Sequence, residues 1–280
     1  MNLAPLQEVT EASRPGDTLG AIRLNINSSM PAMWVIVESD YDVKIYEKFF
    51  SENRLNVRSS LVNGEQSCIN VESIVKAVLN DGYGKIIGIR DRDFVDFIES
   101  YDKPDNVYLT DQRDIEMQML ESDKVVLSLK QKDTDIEQKI DDVKPIARAI
   151  GCYRIFNDIH RCGFSFKKNL KHIAFYDESA DELIESPLSE LETKFFECRS
   201  DEEKTLFAEL KIQCNQMEYF FVCRGHDFVK FLQYLTNKTV PDLVNFIPKH
   251  YDMDAFKQSA LYSDLKDWAD RNNVSLFEGT

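Results

Sequence analysis

The stretch Lys85-Ile86-Ile87-Gly88-Ile89-Arg90-Asp91-Arg92-Asp93-Phe94 runs from an apolar segment directly into two carboxylates. A short, continuous apolar run is the pattern of a strand buried on both faces. Two acids at the end of such a strand are the hard oxygen donors that a divalent cation takes. The question for the rest of the chain is what completes that site.

Upstream, Met33–Val37 (MWVIV) is a second apolar run, ending at Glu38. From Tyr41 the spacing turns helical, with Val43, Tyr46, Phe49 and Phe50 on one side. A strand over 55–62 closing at Asn63-Gly64 and a helix over 71–79 closing at Asn80-Asp81-Gly82 follow. Downstream, the pattern gives a short helical stretch over 94–98 and a strand over 106–110. That strand leads to Asp111, Asp114 and Glu116 at the start of another helix. Strands alternating with helices imply an α/β fold, a mainly parallel sheet flanked by helices, with sites at the carboxyl ends of the strands. Glu38, Asp91, Asp93 and Glu116 all fall at such ends.

The chain divides into an N-terminal arm (1–30, with at most a short strand over 21–24), a metal-binding core (31–125) and a mixed, helix-rich C-terminal region (126–280). In the last, residues 121–150 read as charged helix broken at Pro145. A strand is expected over 172–175, and helices over 226–235 and about 254–272. No apolar run reaches the ~18 residues of a membrane span, and the start carries no secretory pattern, so the expected location is the cytoplasm. The six cysteines read as reduced thiols; a zinc site from Cys152, His160, Cys162, Cys214, Cys223 and His226 matches no standard spacing. The net charge of −15 argues against unaided attraction of nucleic acid, so a nucleic-acid enzyme here needs metal ions, a local basic patch or a basic partner.

D-x-D occurs at Asp40/Asp42, Asp91/Asp93, Asp133/Asp135 and Asp252/Asp254, and only the first two pairs follow apolar strands. Asp133/Asp135 reads as a solvated helix face and Asp252/Asp254 as a helix N-cap. Phosphodiester cleavage commonly uses two Mg²⁺ ions about 3.5–4 Å apart. Glu38 with Asp42 suits one ion, Asp91 with Asp93 the other, and Glu116 a bridging role; the competing reading is that these acids only cap helices.

A strand ending in Glu38-Ser39-Asp40-Tyr41-Asp42, a strand ending in Asp91-x-Asp93, and acids after the next strand together resemble the Toprim domain of primases, topoisomerases and several nucleases. Ser39 stands where that family's first motif has glycine. GIRDRDF, YLTDQRDIEMQML, LKHIAFYD and FFVCRGHDFVKFL further resemble the Toprim-related effectors encoded beside ABC-type ATPases in phage defence, the AriB-like subunits of the PARIS system. The likeness spans residues 33–235. It implies a Toprim-like core over 31–125 and a nuclease dependent on two Mg²⁺ (or Mn²⁺) ions. Such an effector is held on an AriA-like ATPase sensor, released on infection to cleave host tRNA, and able to homodimerise. Carried to this chain, Glu38 becomes the general acid/base or a metal ligand, Asp91 and Asp93 metal ligands, and Glu116 a support for the second ion. A DNA-directed Toprim nuclease, or a non-catalytic metal-binding assembly subunit of an ATPase complex, accounts for the same residues; primase-like nucleotidyl transfer lacks a zinc-binding segment.

Three further features stand out. Lys167, Lys168 and Lys171, with Phe164, Phe166 and His172, form a basic-aromatic patch suited to phosphate contact and base stacking, or else a cationic surface over core aromatics. In Gly225-His226-Asp227, His226 is a candidate substrate or metal contact and Asp227 a helix cap. Arg90 and Arg92 flank the paired acids, to neutralise phosphate or to pair with carboxylates.

Overall fold

Apolar runs that cannot leave backbone polar groups unpaired in a core form ladders, and here they form a parallel one. The computed structural model of this 280-residue chain describes residues 17–28, 32–50 and 55–277. In chain order the helices are α1 (Thr18–Ile26), α2 (Asp40–Tyr46), α3 (Cys68–Asn80), α4 (Ile115–Leu120), α5 (Asp123–Lys130), α6 (Ile136–Ile159), α7 (Phe166–Asn169), α8 (Pro187–Phe196), α9 (Asp201–Gln216), α10 (Tyr219–Val222), α11 (Gly225–Thr236), α12 (Leu243–His250), α13 (Met253–Phe256) and α14 (Ala260–Asn272). The strands are β1 (Met33–Val37), β2 (Leu55–Ser59), β3 (Ile86–Arg90), β4 (Val107–Leu109), β5 (Tyr176–Asp177) and β6 (Glu182–Leu183). Among the described residues no helix is long and apolar enough to cross a membrane.

Two compact units interleave along the chain. One holds the described residues up to Asp91 together with Asp102–Asp111 and the chain from Asp252 onward; the other holds Arg92–Tyr101 and Gln112–Tyr251. The first unit is an α/β layer structure. Its four strands are all parallel, in the order β2-β1-β3-β4, with Val35 opposite Val57 on one side and Ile87 on the other. Every residue of β1 and β3 is buried, as strands covered on both faces require. On one face Trp34, Ile36, Ile86 and Val107 pack with Val71, Ile74, Val75 and Val78 of α3 and Leu19 and Ile22 of α1. The C-terminal segment closes the unit, as Phe49 stacks on Phe256 at 4.5 Å and Phe50 on Phe277 at 5.5 Å.

The expected strands and helices around β3 are present, and several expectations elsewhere are corrected. Residues 21–24 lie in a helix, because Leu19, Ile22 and Ile26 repeat at three and four residues and seat on α3. Residues 172–175 form a 3₁₀ turn, leaving a strand of only two residues (β5) paired antiparallel with β6. Pro145 does not break α6. The proline forfeits one backbone donor, yet Ile140, Val143, Ile146, Ala147 and Ile150 bury the helix on both sides of it. The last expected helix is two, α13 and α14. Asp252 caps the first, as its reading as an N-cap anticipates, and Ser259 accepts from Tyr262 N at 3.0 Å to start the second. Asp133 is not solvated: it is buried and takes Lys139 at 2.6 Å and the Thr239 hydroxyl at 2.5 Å.

The second unit is helical and built around α6, which packs against α8, α9, α10 and α11. Its aromatic centre joins Tyr153, Phe156, Phe195 and Phe207.

Gly88 sets how closely α3 approaches the sheet. A Cβ there would lie 2.7 Å from Val71 Cγ1 and 3.0 Å from Val75 Cγ2, and β-branched side chains in a helix have little freedom to yield. Gly88→Ala is expected to lower unfolding stability by about 1–3 kcal/mol, read as a fall in urea midpoint at unchanged m-value; an unshifted midpoint would contradict this packing.

Candidate functional site

The carboxyl ends of β1 and β3 are neighbours, so Glu38 and Asp91 arrive together. The Glu38 carboxylate accepts the backbone N–H of Asp91 at 2.9 Å and is half-buried. Beneath it lies a buried ion pair: Arg90, 7% exposed, donates to Glu72 of α3 at 2.5 Å, and its Nε reaches the Asp91 carbonyl at 2.9 Å. Removing one member of a buried pair strands the other charge, so Glu72 and Arg90 fix the end of β3 as a unit. Glu72 was legible as the acid inside the Val71–Val75–Val78 arc of an amphipathic helix, although the sequence reading did not single it out.

The first acidic motif is mainly a cap. Ser39 is the N-cap of α2: its Oγ accepts from Asp42 N while the Asp42 carboxylate accepts the Ser39 N–H at 2.8 Å, closing a capping box. Asp42 is buried, which pushes its carboxyl up against the lowering effect of the Ser39 hydrogen bonds. Asp40 accepts the Ser59 hydroxyl at 2.6 Å. Asp111 likewise serves a helix end, accepting the N–H groups of Ala260 and Leu261 at 2.6 and 2.8 Å.

The second unit begins at Arg92 and carries the other predicted acids. Asp93 adopts a left-handed backbone (φ 50°), which Asp tolerates better than most residues, and its N–H donates to the Arg113 carbonyl at 2.7 Å. Arg92 pairs with Asp96 at 2.6 Å, so both flanking arginines have carboxylate partners. Glu116 sits in the first turn of α4. Asp114, the N-cap of α4, is buried and accepts from Met117 N at 3.0 Å and from Gly225 N at 2.7 Å. Burial raises its carboxyl to about 6, against the hydrogen bonds from Gly225 and Met117 and the nearby Arg113; Asp93 adds to the rise. This explains the glycine of Gly225-His226-Asp227: a Cβ at 225 would lie 2.3 Å from Asp114 Oδ1 and 2.5 Å from Glu116 Cβ.

Asp227 is not a simple cap. It is 1% exposed and accepts Arg154 Nε and Nη2 at 2.5 and 2.9 Å and His172 Nε2 at 2.8 Å. Burial alone would raise its carboxyl, but His172 and Arg154 outweigh that and hold it below the ordinary carboxylate range. Arg154 went unremarked in the sequence; its one local signal is a cation on the otherwise buried segment 150–156 of α6.

The basic-aromatic patch separates into its parts. Lys167 and Lys168 are exposed on α7. Phe166 is buried beneath the Arg154 guanidinium, 4.4 Å from its centroid, and Phe164 packs edge-on to Phe166 and Phe195. Phe166 is core and offers no base-stacking platform, while Phe164 is half-buried in these edge-on contacts. No three of the six Cys and His residues considered for zinc bring ligand atoms within 4.8 Å of one another among the described residues. In comparisons with known proteins, no family model matches the chain and no curated protein matches it.

The Asp114 carboxyl titrates higher in the folded chain than in the unfolded one. Its contribution to stability is therefore full below its unfolded value near 3.8 and is lost as pH rises through about 6. Asp114→Asn keeps a capping acceptor without the titration. Its urea midpoint is expected to fall less than that of the native chain between pH 4.5 and pH 7.5; parallel profiles would contradict the assignment. Gly225→Ala, by contrast, is expected to lose about 1–3 kcal/mol at every pH.

Proposed function

We propose that this chain is a metal-dependent phosphodiester hydrolase whose reactive acids are Glu38, Asp91 and Asp93. The observation that carries the reading is the Glu38–Asp91 contact at adjacent parallel strand ends, the position where α/β sheets bind ligands. The donor set fits a hard cation, because both side chains are carboxylates at a half-buried, partly solvated edge. Asp93 enters the proposal from the sequence, as the second acid of Asp91-x-Asp93.

A bound Mg²⁺ or Mn²⁺ supplies Lewis-acid charge to the phosphoryl oxygens and acidifies a coordinated water. The chain's own contribution is orientation. The Asp91 N–H holds the Glu38 carboxylate in one direction, and Glu72 holds Arg90, which braces the Asp91 carbonyl. Glu38 is then placed to accept a proton from the attacking water or to return one to the leaving oxygen. Glu116 belongs to the same proposal as support for a second ion. The resemblance adds RNA, and tRNA in particular, as substrate, and an ABC-type ATPase as the partner that restrains the chain.

A second reading, a metal-binding assembly subunit without catalysis, is favoured by one observation: Asp42 and Asp114 spend their carboxylates on Ser39 and Gly225, which leaves fewer donors for two ions. Purified chain incubated with total tRNA and with single-stranded DNA separates the readings. The hydrolase is expected to produce discrete breaks with Mg²⁺ and none with EDTA, and Glu38→Ala or Asp91→Asn is expected to reduce the rate at least ~100-fold, the scale of a lost acid/base group, with an unchanged far-UV spectrum. Mg²⁺ binding without cleavage of either nucleic acid selects the assembly subunit; undiminished cleavage by Glu38→Ala sinks the role given to that residue.

A further inference from the structure

Away from the strand-end acids, cations converge on the start of α11 in the second unit. Arg224 precedes the helix, and His226 and Lys230, four residues apart, share its exposed face, about 6 Å from each other along the axis. The 3₁₀ turn at 172–175 packs against α11 and carries His172, with Lys171 directly before it. Asp227, the carboxylate of this turn, is already shared by Arg154 and His172, and Glu190 lies within electrostatic reach of Lys171.

Arg224, His226, Lys230 and Lys171 have no hydrogen-bond or ion-pair partner on their side chains among the described residues. Some lysines elsewhere pair, as Lys139 does with Asp133 and Lys266 with Asp270, while others, Lys167 and Lys168 among them, have no such partner among the described residues. What marks this face, in a chain of net charge −15, is that its cations gather at the start of one helix. The cluster is also under internal repulsion. Partial burial first, then the charges of Lys230, Arg224 and His172, hold the His226 imidazole below its ordinary value, with Asp227 opposing them. An anion seated among these groups relieves that repulsion.

We propose that the Arg224–His226–Lys230 face of α11, flanked by Lys171 and His172, binds the phosphates of a nucleic-acid backbone. The choice of nucleic acid over another polyanion rests on the phosphodiester-hydrolase reading. The face also answers the charge objection, because it concentrates positive charge locally on an acidic protein. Lys167 and Lys168 lie outside it and are not required.

The test is fluorescence anisotropy of labelled 20-nucleotide oligo-U and oligo-dT with the full chain in EDTA, so that cleavage does not intervene, over a range of KCl concentrations. The native chain is expected to bind, with affinity falling as salt rises. Arg224→Ala/Lys230→Ala is expected to weaken binding at least tenfold and to reduce the slope of log K against log[salt] by about 1.4, that is, about 0.7 for each of two lost single-strand contacts. Lys230→Glu is expected to weaken it further, and both variants should melt at the native temperature, since the side chains are exposed and unpaired. Binding by the double variant equal to native, or no binding by the native chain, overturns the proposal. Displacement by inorganic pyrophosphate at concentrations below the total oligonucleotide phosphate overturns the assignment to a backbone in favour of a free phosphate compound. Intact binding without Mg²⁺-dependent cleavage overturns the hydrolase reading alone; Mg²⁺-dependent cleavage with binding unaffected by the double variant overturns this face alone.

Discussion

Burying β3 on both faces is the constraint from which the first unit follows. A fully buried strand needs ladders on both sides, and it has them in β1 and β4. It also needs a covering helix close enough to exclude water, which Gly88 permits by leaving room for Val71 and Val75. Polar groups can then appear only where the strand ends, and each must be partnered there. Arg90 is met by Glu72, the Asp91 N–H by Glu38, and the Arg90 carbonyl by the N–H of Thr110 at 3.0 Å. The Glu38 carboxylate and the Asp91 backbone are thus held by the same hydrogen bonds that terminate the core.

The second unit solves a related problem with charge. Asp227 enters a largely apolar helix face, where Phe228, Val229, Phe231 and Leu232 are all buried, and a lone carboxylate there would be costly. Arg154 and His172 each approach from a different element, so one anion ties α6 and the turn at 172–175 to α11. Asp114 does the same between α4 and α11 through the Gly225 N–H. The Gly-His-Asp segment therefore divides its labour: glycine for close approach, aspartate for cross-linking, and histidine left on the exposed face.

Much of the α/β unit was legible in the sequence. Continuous runs of apolar or small residues at 33–37 and 86–89, and the turn at Asn63-Gly64, where both residues take positive φ, are local signals that tertiary structure had no reason to override. The strand-end position of Glu38 and Asp91 followed from that pattern. What was not legible depends on partners distant in sequence. Asp42 as a metal donor and Asp42 as the return arm of a capping box have the same local spelling. Asp133 looked solvated because Lys139 and Thr239, 6 and 106 residues away, are invisible to periodicity. Phe164 and Phe166 read as a stacking patch because their exposure is decided by Phe195 and Arg154. Pro145 read as a break because propensity is local, whereas the burial that carries α6 through it is not.

The central claim is that the acids at the ends of β1 and β3 hold a divalent ion. Electron paramagnetic resonance of Mn²⁺ measures this without reference to catalysis. Adding the native chain is expected to deplete the free-ion signal in proportion to the sites filled, and Mg²⁺ in excess should restore it. The Glu38→Ala/Asp91→Asn chain, folded by circular dichroism, is expected to leave the signal near that of buffer. Equal depletion by the native and doubly substituted chains would contradict the account.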